Sequence, residues 1–397
     1  MLSILKFAGP AVLVGKAAAA SPVARQITRI DPGDCPTTTE VSYTWETKPC
    51  TDSYFSPWTY PTNNWANAPT VNITLDGVEV VATVDTGSTG LVASISLFPH
   101  NNFTRQDPTS IFYSSSHWLE EGYEEWIDMT FGPFYMRTQA IIKNREVCCP
   151  GYNSTTDEPR CPSAKLARNC ECSGGCTSTS TSHNHHKRAT RPAPPPPVAY
   201  MGIGFGRGAP QIDNAFLDTV TFNGQAIPPS SQSYCPGYVI TTDGIHLGLT
   251  SANTQNFTFV TLHQTSVDGQ RDWSTATMQY QIDNSTQQNG TVLVDTGISQ
   301  SYFQSMPPWR ANSTVYLSVP GDVDTYTIRY EVDETGKGWN PMQPTRFGGS
   351  PTLGFINTGR HFLNCFDVMY DPVGGNYGYR YLGDTRAANC SSYVSQG

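Results

Sequence analysis

Residues 81–90 read VATVDTGSTG, and residues 290–299 read GTVLVDTGIS. A given tripeptide occurs by chance about once in several thousand positions, so two copies of Asp-Thr-Gly in 397 residues are not expected at random. Each copy follows an apolar, valine-rich run, which predicts that it ends a buried strand. The glycines, Gly87 and Gly297, predict tight turns with positive φ. The same aspartate is therefore expected at the end of two similar strands.

A single aspartate in such a turn usually only hydrogen-bonds nearby backbone amides. Two copies about 210 residues apart favour another interpretation, a duplicated lobe whose two turns face each other across a pseudo-twofold axis. That symmetry would bring Asp85 and Asp295 together. Two adjacent carboxylates cannot both ionise cheaply, so the pair is expected to share one proton.

The composition favours a mainly β chain that is long enough for two domains. Tyrosine and phenylalanine number 20 and 17, charged residues make up only 14%, and short alternating stretches such as VNITLDGVEVVATV at 71–84 are frequent. In that stretch Asp76-Gly77 predicts a hairpin turn. The net charge of -9 without a basic cluster argues against nucleic acid as a partner. No run of 18 apolar residues predicts a membrane span, and a monomer is expected.

Three features favour export from the cell. Residues 1–20 combine Lys6, an apolar stretch and small residues at 18–20, which predicts a signal peptide, although a disordered start is the alternative. Eleven cysteines are typical of a secreted chain with disulfide bonds. Eight Asn-x-Ser/Thr sequons predict a glycoprotein. They lie at Asn72, Asn102, Asn153, Asn256, Asn284, Asn289, Asn312 and Asn389.

The chain divides into four parts. Residues 1–20 form the predicted signal peptide, and 21–65 form an irregular segment in which Cys35 and Cys50 are candidates for a local disulfide. Residues 66–235 form an N-terminal lobe with a Cys-rich and Pro-rich insertion at 144–198, and 236–397 form a C-terminal lobe. The odd number of cysteines leaves at least one thiol unpaired or bonded to another molecule.

The insertion admits two interpretations. Its cysteines favour disulfides in an oxidising compartment, while nearby histidines make zinc an alternative. The dibasic Lys187-Arg188 would suit a processing protease, so a two-chain mature form is possible. The residues concerned are Cys148, Cys149, Cys161, Cys170, Cys172, Cys176, His183, His185 and His186.

The doubled motif resembles that of the pepsin-like aspartic proteases, in a secreted, fungal form. YMGIGFG at 200–206 is similar to the apolar-apolar-Gly segment that the family places under its first catalytic loop, and TLGFINTGRHFLNCFDVMYDPVGGNYGYR at 352–380 is similar to the family's C-terminal passage. The likeness runs from about 66 to 385, without the insertion. The paired motif is highly specific, whereas either half alone is not.

The resemblance implies a bilobal pepsin-like acid protease fold with two pseudo-twofold-related β lobes and a central cleft. It implies a secreted aspartic endopeptidase that hydrolyses protein or peptide substrates at acidic pH, with Asp85 and Asp295 as the catalytic dyad. The two carboxyls activate one water by acid and base catalysis, so no metal and no cofactor is expected.

The resemblance also implies roles for residues around the dyad. Thr86 and Thr296 correspond to threonines that tie the two loops together beneath the carboxylates. Gly87 and Gly297 aim backbone amides at the carboxylate oxygens. Ser88 corresponds to the hydroxyl that bonds the outer oxygen of the first aspartate.

Three positions depart from the family pattern. Ile298 stands where a second hydroxyl would bond Asp295, which predicts a raised pKa and a looser side chain for that aspartate. Val92 stands at the position of a tryptophan that bonds the tyrosine of the flap over the cleft. The best matches for that tyrosine are Phe131 and, as a substitute, Tyr135. These departures motivate the alternative function, a catalytically weak or inactive binding module for a protein or glycan.

Overall fold

The computed structural model describes residues 50–167 and 199–396, apart from 63, 106, 114–116, 155, 209–212, 229–230, 268, 300, 306–311, 320–325, 332–343, 347–353, 386–389 and 393. Within these ranges the regular structure consists of strands and short 3-10 helices, so the mainly β prediction is confirmed. Strands are numbered β1 to β25 in chain order. The 3-10 helices are Ile95–Leu97, Ala215–Leu217, Arg360–Asn364, Gly383–Thr385 and Cys390–Ser392.

A nine-stranded sheet carries the first Asp-Thr-Gly motif at the end of β3. Its strand order is β10-β9-β7-β4-β8-β3-β2-β6-β5. The strands are β2 Thr70–Leu75, β3 Val78–Asp85, β4 Thr89–Ser94, β5 Pro108–Tyr113, β6 Trp118–Phe131, β7 Phe134–Cys148, β8 Ala199–Ile203, β9 Thr219–Phe222 and β10 Gln225–Ala226. The β2–β3 hairpin turns at Asp76 and Gly77, both at positive φ, as the sequence predicts.

An eight-stranded sheet carries the second motif just after β17. Its order is β21-β18-β22-β17-β16-β19-β20-β25. The strands are β16 Ala276–Ile282, β17 Gln288–Leu293, β18 Ser301–Gln304, β19 Thr314–Val319, β20 Tyr326–Glu331, β21 Pro344–Arg346, β22 Gly354–Asn357 and β25 Val394–Gln396.

The two large sheets repeat one connectivity. In the first, β8 runs parallel to β3 and antiparallel to β4, and β4 runs parallel to β7. In the second, β22 runs parallel to β17 and antiparallel to β18, and β18 runs parallel to β21. The chain therefore contains two lobes of the same design, each with a motif where its central strand ends.

A six-stranded sheet joins a strand from the N-terminal part of the chain, β1, to five strands from the C-terminal part. Its order is β1-β12-β11-β23-β24-β13. Its strands are β1 Tyr54–Pro57, β11 Tyr238–Ile240, β12 Gly244–Leu247, β13 Thr258–Thr261, β23 Phe366–Asp371 and β24 Asn376–Tyr381. A small hairpin of β14 Gln264–Val267 and β15 Gln270–Trp273 stands beside it. Because β1 pairs with β12, the end of the segment predicted to be irregular is ordered in this sheet.

Disulfide bonds correct one sequence prediction. Cys50 bonds Cys235, 185 residues away, so its pairing with Cys35 is wrong, and Cys35 lies outside the described residues. Cys149 bonds Cys161 within the insertion, and Cys365 bonds Cys390. Cys148 is disulfide-bonded as well.

The other cysteines of the insertion, its histidines, Lys187-Arg188 and the predicted signal peptide lie outside the described residues. In the part of the chain that the structure describes, no helix is long and apolar enough to cross a membrane.

Candidate active site

The two Asp-Thr-Gly turns are joined by reciprocal hydrogen bonds between their threonines. The backbone N–H of Thr86 donates to Oγ1 of Thr296 over 3.0 Å, and the N–H of Thr296 donates to Oγ1 of Thr86 over 3.1 Å. Each hydroxyl then donates to the other lobe, from Thr86 to the carbonyl of Val294 over 2.5 Å and from Thr296 to that of Val84 over 2.7 Å. These bonds hold the ends of the two central strands side by side.

Asp85 and Asp295 meet directly above this junction. Both side chains are fully buried, and their carboxyls are close enough to share a hydrogen bond. The N–H of Gly87 donates to Oδ1 of Asp85 over 2.7 Å, and the N–H of Gly297 donates to Oδ1 of Asp295 over 2.8 Å. The structure thus brings both predicted aspartates together, with each predicted glycine amide on a carboxylate.

The reason for glycine at 87 and 297 differs from the prediction. Neither residue is among those with positive φ, a conformation that Gly90 adopts instead. A Cβ atom at Gly87 would lie 2.3 Å from Oδ2 of Asp295, and one at Gly297 would lie 2.5 Å from Oδ1 of Asp85. Glycine is needed because each turn lies against the carboxylate of the other lobe.

The Oδ2 atoms receive side-chain donors. Ser88 donates its hydroxyl to Oδ2 of Asp85, as predicted, and Tyr200 donates to the same atom over 2.8 Å. Oδ2 of Asp295 accepts from Nδ2 of Asn357 over 2.7 Å. Ile298 supplies no hydroxyl to Asp295, as the sequence indicates, but Asn357 supplies a donor from a neighbouring strand, so Asp295 keeps a side-chain hydrogen bond.

Burial dominates the electrostatics of the pair. It raises the pKa of Asp85, and the neighbouring Asp295 raises it further, while bonds from Ser88 and Tyr200 act in the opposite direction. The pair therefore keeps one proton well above the pH at which an exposed aspartate loses its own.

Two buried arginines flank the carboxylates. Nε of Arg207 donates to the carbonyl of Gly87 over 2.9 Å. The backbone N–H of Arg360 donates to the carbonyl of Ile298 over 2.9 Å, while its guanidinium donates to the carbonyls of Trp65 and Ala66. Burial lowers the pKa of both guanidinium groups, and the charge of Asp295 opposes that shift. Arg207 thus supports the first turn through its side chain, and Arg360 supports the second through its backbone.

The predicted flap residues lie away from the carboxylates. Phe131 is fully buried, with its ring 5.4 Å from that of Tyr54 and 5.0 Å from that of Phe216, so it belongs to the apolar core. Tyr135 lies on the same β6–β7 hairpin and donates its hydroxyl to Asp128 over 2.9 Å. The prediction is wrong because Phe131 and Phe134, on either side of this hairpin's Gly-Pro turn, are both buried in the apolar core.

A different hairpin, β5–β6, brings a tyrosine near Asp85. Tyr113 is buried with Val92 and Tyr200 in one cluster and interacts electrostatically with Asp85. Its hydroxyl donates to Oε2 of Glu120 over 2.8 Å. Val92 therefore does lie beside a hairpin tyrosine, although the tyrosine bonds a carboxylate and not an indole.

A buried ion pair lies beneath this tyrosine. Nζ of Lys143 donates to Oε1 of Glu120 over 2.5 Å and to Oε2 of Glu146 over 2.9 Å. Burial alone lowers the pKa of Lys143, but Glu120 and Glu146 raise it above its ordinary value. The lysine thus stays charged and compensates the carboxylate that receives the Tyr113 hydroxyl.

Sequence reasoning missed three residues of the site. Tyr113 precedes the Ser-rich stretch 114–116 between two alternating segments, which is itself a hairpin signal. Tyr200 and Asn357 each stand two residues before a glycine, in YMG and NTG. That shared spacing is the signal that would have paired them.

Comparisons with known proteins give a similarity in structure and none in sequence. No family model matches the chain, and no curated protein matches it. Among the solved structures, the chain is similar to an aspartic proteinase from Irpex lacteus, with 15% sequence identity and a TM-score of 0.44. The match covers 85% of this chain and 100% of that one.

Proposed function

We propose that the protein is an aspartic endopeptidase that hydrolyses peptide bonds at acidic pH, with Asp85 and Asp295 as its catalytic dyad. The observation that carries this proposal is the buried pair of carboxyls, one from each lobe, within hydrogen-bonding distance of each other. A structural aspartate in a turn needs no such partner, and like charges at this separation are costly to bury.

The chemistry follows from one shared proton. The ionised carboxyl accepts a proton from a water molecule as that water attacks the peptide carbonyl carbon, and the protonated carboxyl donates to the carbonyl oxygen. The first carboxyl then gives its proton to the amide nitrogen as the C–N bond breaks, and the second carboxyl takes a proton back from a hydroxyl of the adduct as the carbonyl re-forms. Thr86 and Thr296 keep the two loops in register, while the amides of Gly87 and Gly297 orient the carboxylates. No metal or cofactor takes part in this scheme.

We also propose that the chain is secreted, monomeric and glycosylated, with catalytic lobes at 66–235 and 236–397. The disulfide bonds of Cys50 with Cys235, Cys149 with Cys161 and Cys365 with Cys390 are compatible with an oxidising compartment. Every sequon asparagine in the described residues is exposed. These are Asn72, Asn102, Asn153, Asn256, Asn284, Asn289 and Asn312.

The site weakens the alternative of an inactive binding module. That alternative rested on a missing hydroxyl at Ile298 and on a missing flap tyrosine. Asn357 supplies a donor to Asp295, and the β5–β6 hairpin supplies Tyr113, which interacts electrostatically with Asp85. A protein that only binds its partner would need neither the buried carboxyl pair nor these supports.

Cleavage of an acid-denatured protein tests the proposal. Full-length protein is expected to cleave it between about pH 2 and 6 and to be inhibited by pepstatin, and Asp85→Asn or Asp295→Asn should lower kcat by about 10³-fold or more. Asp128→Asn, which alters a carboxylate bonded to Tyr135 and Arg137, should leave the rate unchanged.

Two results would overturn this assignment. Folded wild-type protein that cleaves at no acidic pH would support the binding module. Cleavage that survives both dyad substitutions would mean that other groups perform the chemistry.

Enzymatic removal of N-linked glycans from the exported protein should reduce its mass, and an unchanged mass would refute glycosylation.

A further inference from the structure

Tyr200 and Asn357 occupy equivalent positions in the two lobes. Tyr200 on β8 is paired with Thr83 on the parallel strand β3, and Asn357 on β22 is paired with Leu293 on the parallel strand β17. Thr83 and Leu293 each stand two residues before an aspartate of the dyad. Since side chains alternate along a strand, each pair presents its side chains on the face that carries the aspartate.

The direction of the Asn357 hydrogen bond is fixed by its surroundings. The N–H of Gly359 donates to Oδ1 of Asn357 over 2.9 Å, so this atom is the amide oxygen. The amide nitrogen Nδ2 therefore points at Asp295, where it can only donate. Oδ2 of Asp295 is an acceptor in this arrangement.

Tyr200 acts in the same way on Asp85. Burial of its phenol, together with the neighbouring Asp85, raises its pKa well above the ordinary value, so the hydroxyl keeps its proton at every pH at which the dyad titrates. The Oδ2 atom of Asp85 accepts from Tyr200 and also from Ser88. Two donors occupy both lone pairs of that oxygen.

We propose that Tyr200 and Asn357 are a pair of positioning residues that hold the Oδ2 atoms of Asp85 and Asp295 as hydrogen-bond acceptors and so keep the shared proton on the Oδ1 side of the dyad. This inference rests on the proposed peptidase function. The two residues act through the carboxylates and need not touch the substrate.

The pH profile of catalysis separates this role from a merely structural one. Each donor stabilises an ionised carboxylate, and a charge-assisted hydrogen bond of ordinary strength corresponds to about one pH unit. Tyr200→Phe and Asn357→Leu should therefore each move the acidic limb of kcat/KM upward by about one unit. The loss should appear in kcat more than in KM.

Tyr135→Phe is the matched control for Tyr200→Phe. It removes a tyrosine hydroxyl that also donates to a carboxylate, that of Asp128, but away from the dyad. Its acidic limb should coincide with that of the wild type. If Tyr200→Phe and Asn357→Leu lower activity equally at all pH values, or leave the limb in place, the proposal is overturned.

Urea unfolding gives a reading that does not depend on activity. Tyr200→Phe should cost more stability at pH 9, where the Asp85 carboxyl with its raised pKa of about 8 is ionised, than at pH 2, where it is protonated. Tyr238→Phe loses a bond of 2.7 Å to the neutral carbonyl of Ile203, so its cost should not vary with pH. A pH-independent cost for Tyr200→Phe would refute the positioning role. If the wild type cleaves nothing while the pH-dependent cost is present, only the proposed function fails.

Discussion

A Cβ atom added to Gly87 would lie 2.3 Å from the Cγ atom of Asp295, which belongs to the other lobe. Real side chains do not approach so closely, so one must move. The smallest side chain is therefore required where the two lobes meet, and the requirement comes from a residue more than 200 positions away.

Gly87→Ala should displace Asp295 and lower kcat/KM by about 100-fold or more, since a misplacement of about 1 Å at a reacting group has such an effect. Overpacking should also reduce the free energy of unfolding by about 1–3 kcal/mol. Gly77→Ala is the comparison. Gly77 has φ +81, and a Cβ atom added to it would meet no other atom within 4 Å. This substitution should therefore cost about 1 kcal/mol of stability without affecting kcat/KM. Full activity in Gly87→Ala would contradict the observed contact.

Thr86→Val should destabilise the junction of the lobes. The hydroxyl of Thr86 donates to Val294 and accepts from Thr296, and each buried group left unpaired costs about 1–3 kcal/mol. Thr86→Ser keeps both bonds and should lose only about 1 kcal/mol with its methyl group. Urea unfolding measures both variants. Equal destabilisation by Val and Ser would show that packing, and not the reciprocal hydrogen bonds, holds the lobes.

Stability should fall between about pH 4 and about pH 8. The pKa of Asp85 is raised to about 8, above the unfolded value of about 3.9, so the native state binds more protons than the unfolded state in this window. The free energy of unfolding therefore decreases with rising pH, by up to about 1.4 kcal/mol per unit. Urea titrations at several pH values should show this slope in the wild type. Asp85→Asn should flatten it, and an unchanged slope in that variant would assign the effect to other groups.

Lys143→Met should destabilise the protein by about 3–5 kcal/mol, because it leaves the carboxylate of Glu120 buried without its cation. Glu120→Gln in the same chain removes that charge and should restore part of the loss. Since the raised pKa of Lys143 keeps it charged below about pH 10, the lysine carries its charge at the pH of the measurement. Thermal unfolding at pH 6 measures both variants. A double variant no more stable than Lys143→Met would argue against an ionic role.

The sequence predicted the mainly β fold from its composition and its alternating stretches. It predicted the meeting of Asp85 with Asp295 because the repeated Asp-Thr-Gly motif is visible in two short local segments. It did not predict Tyr113, since a Ser-rich stretch is a weaker hairpin signal than the Gly-Pro pair after Phe131. Burial then placed Phe131 in the core. Local strand pattern and turn chemistry cannot show which of two hairpins reaches a distant carboxylate.

Other features depend on contacts between distant parts of the chain. The bond of Asn357 to Asp295 requires the register of β22 against β17, which no local pattern specifies. The disulfide between Cys50 and Cys235 spans 185 residues, and spacing alone favours a nearer partner for Cys50. In both cases contacts between distant parts of the chain determine the partner, which the spacing of residues in the sequence does not specify.

The position of β8 has a consequence for the integrity of the molecule. Although β8 follows the long insertion, it lies between β4 and β3, which precede it, and Cys50 is covalently linked to Cys235 on the far side of the same insertion. A backbone cut anywhere in 168–198 would therefore yield two polypeptides that stay together, because β8 of the second would still lie between two strands of the first. On a denaturing gel such a nicked molecule would migrate as one species until its disulfides were reduced. In the folded state both aspartates would still lie side by side.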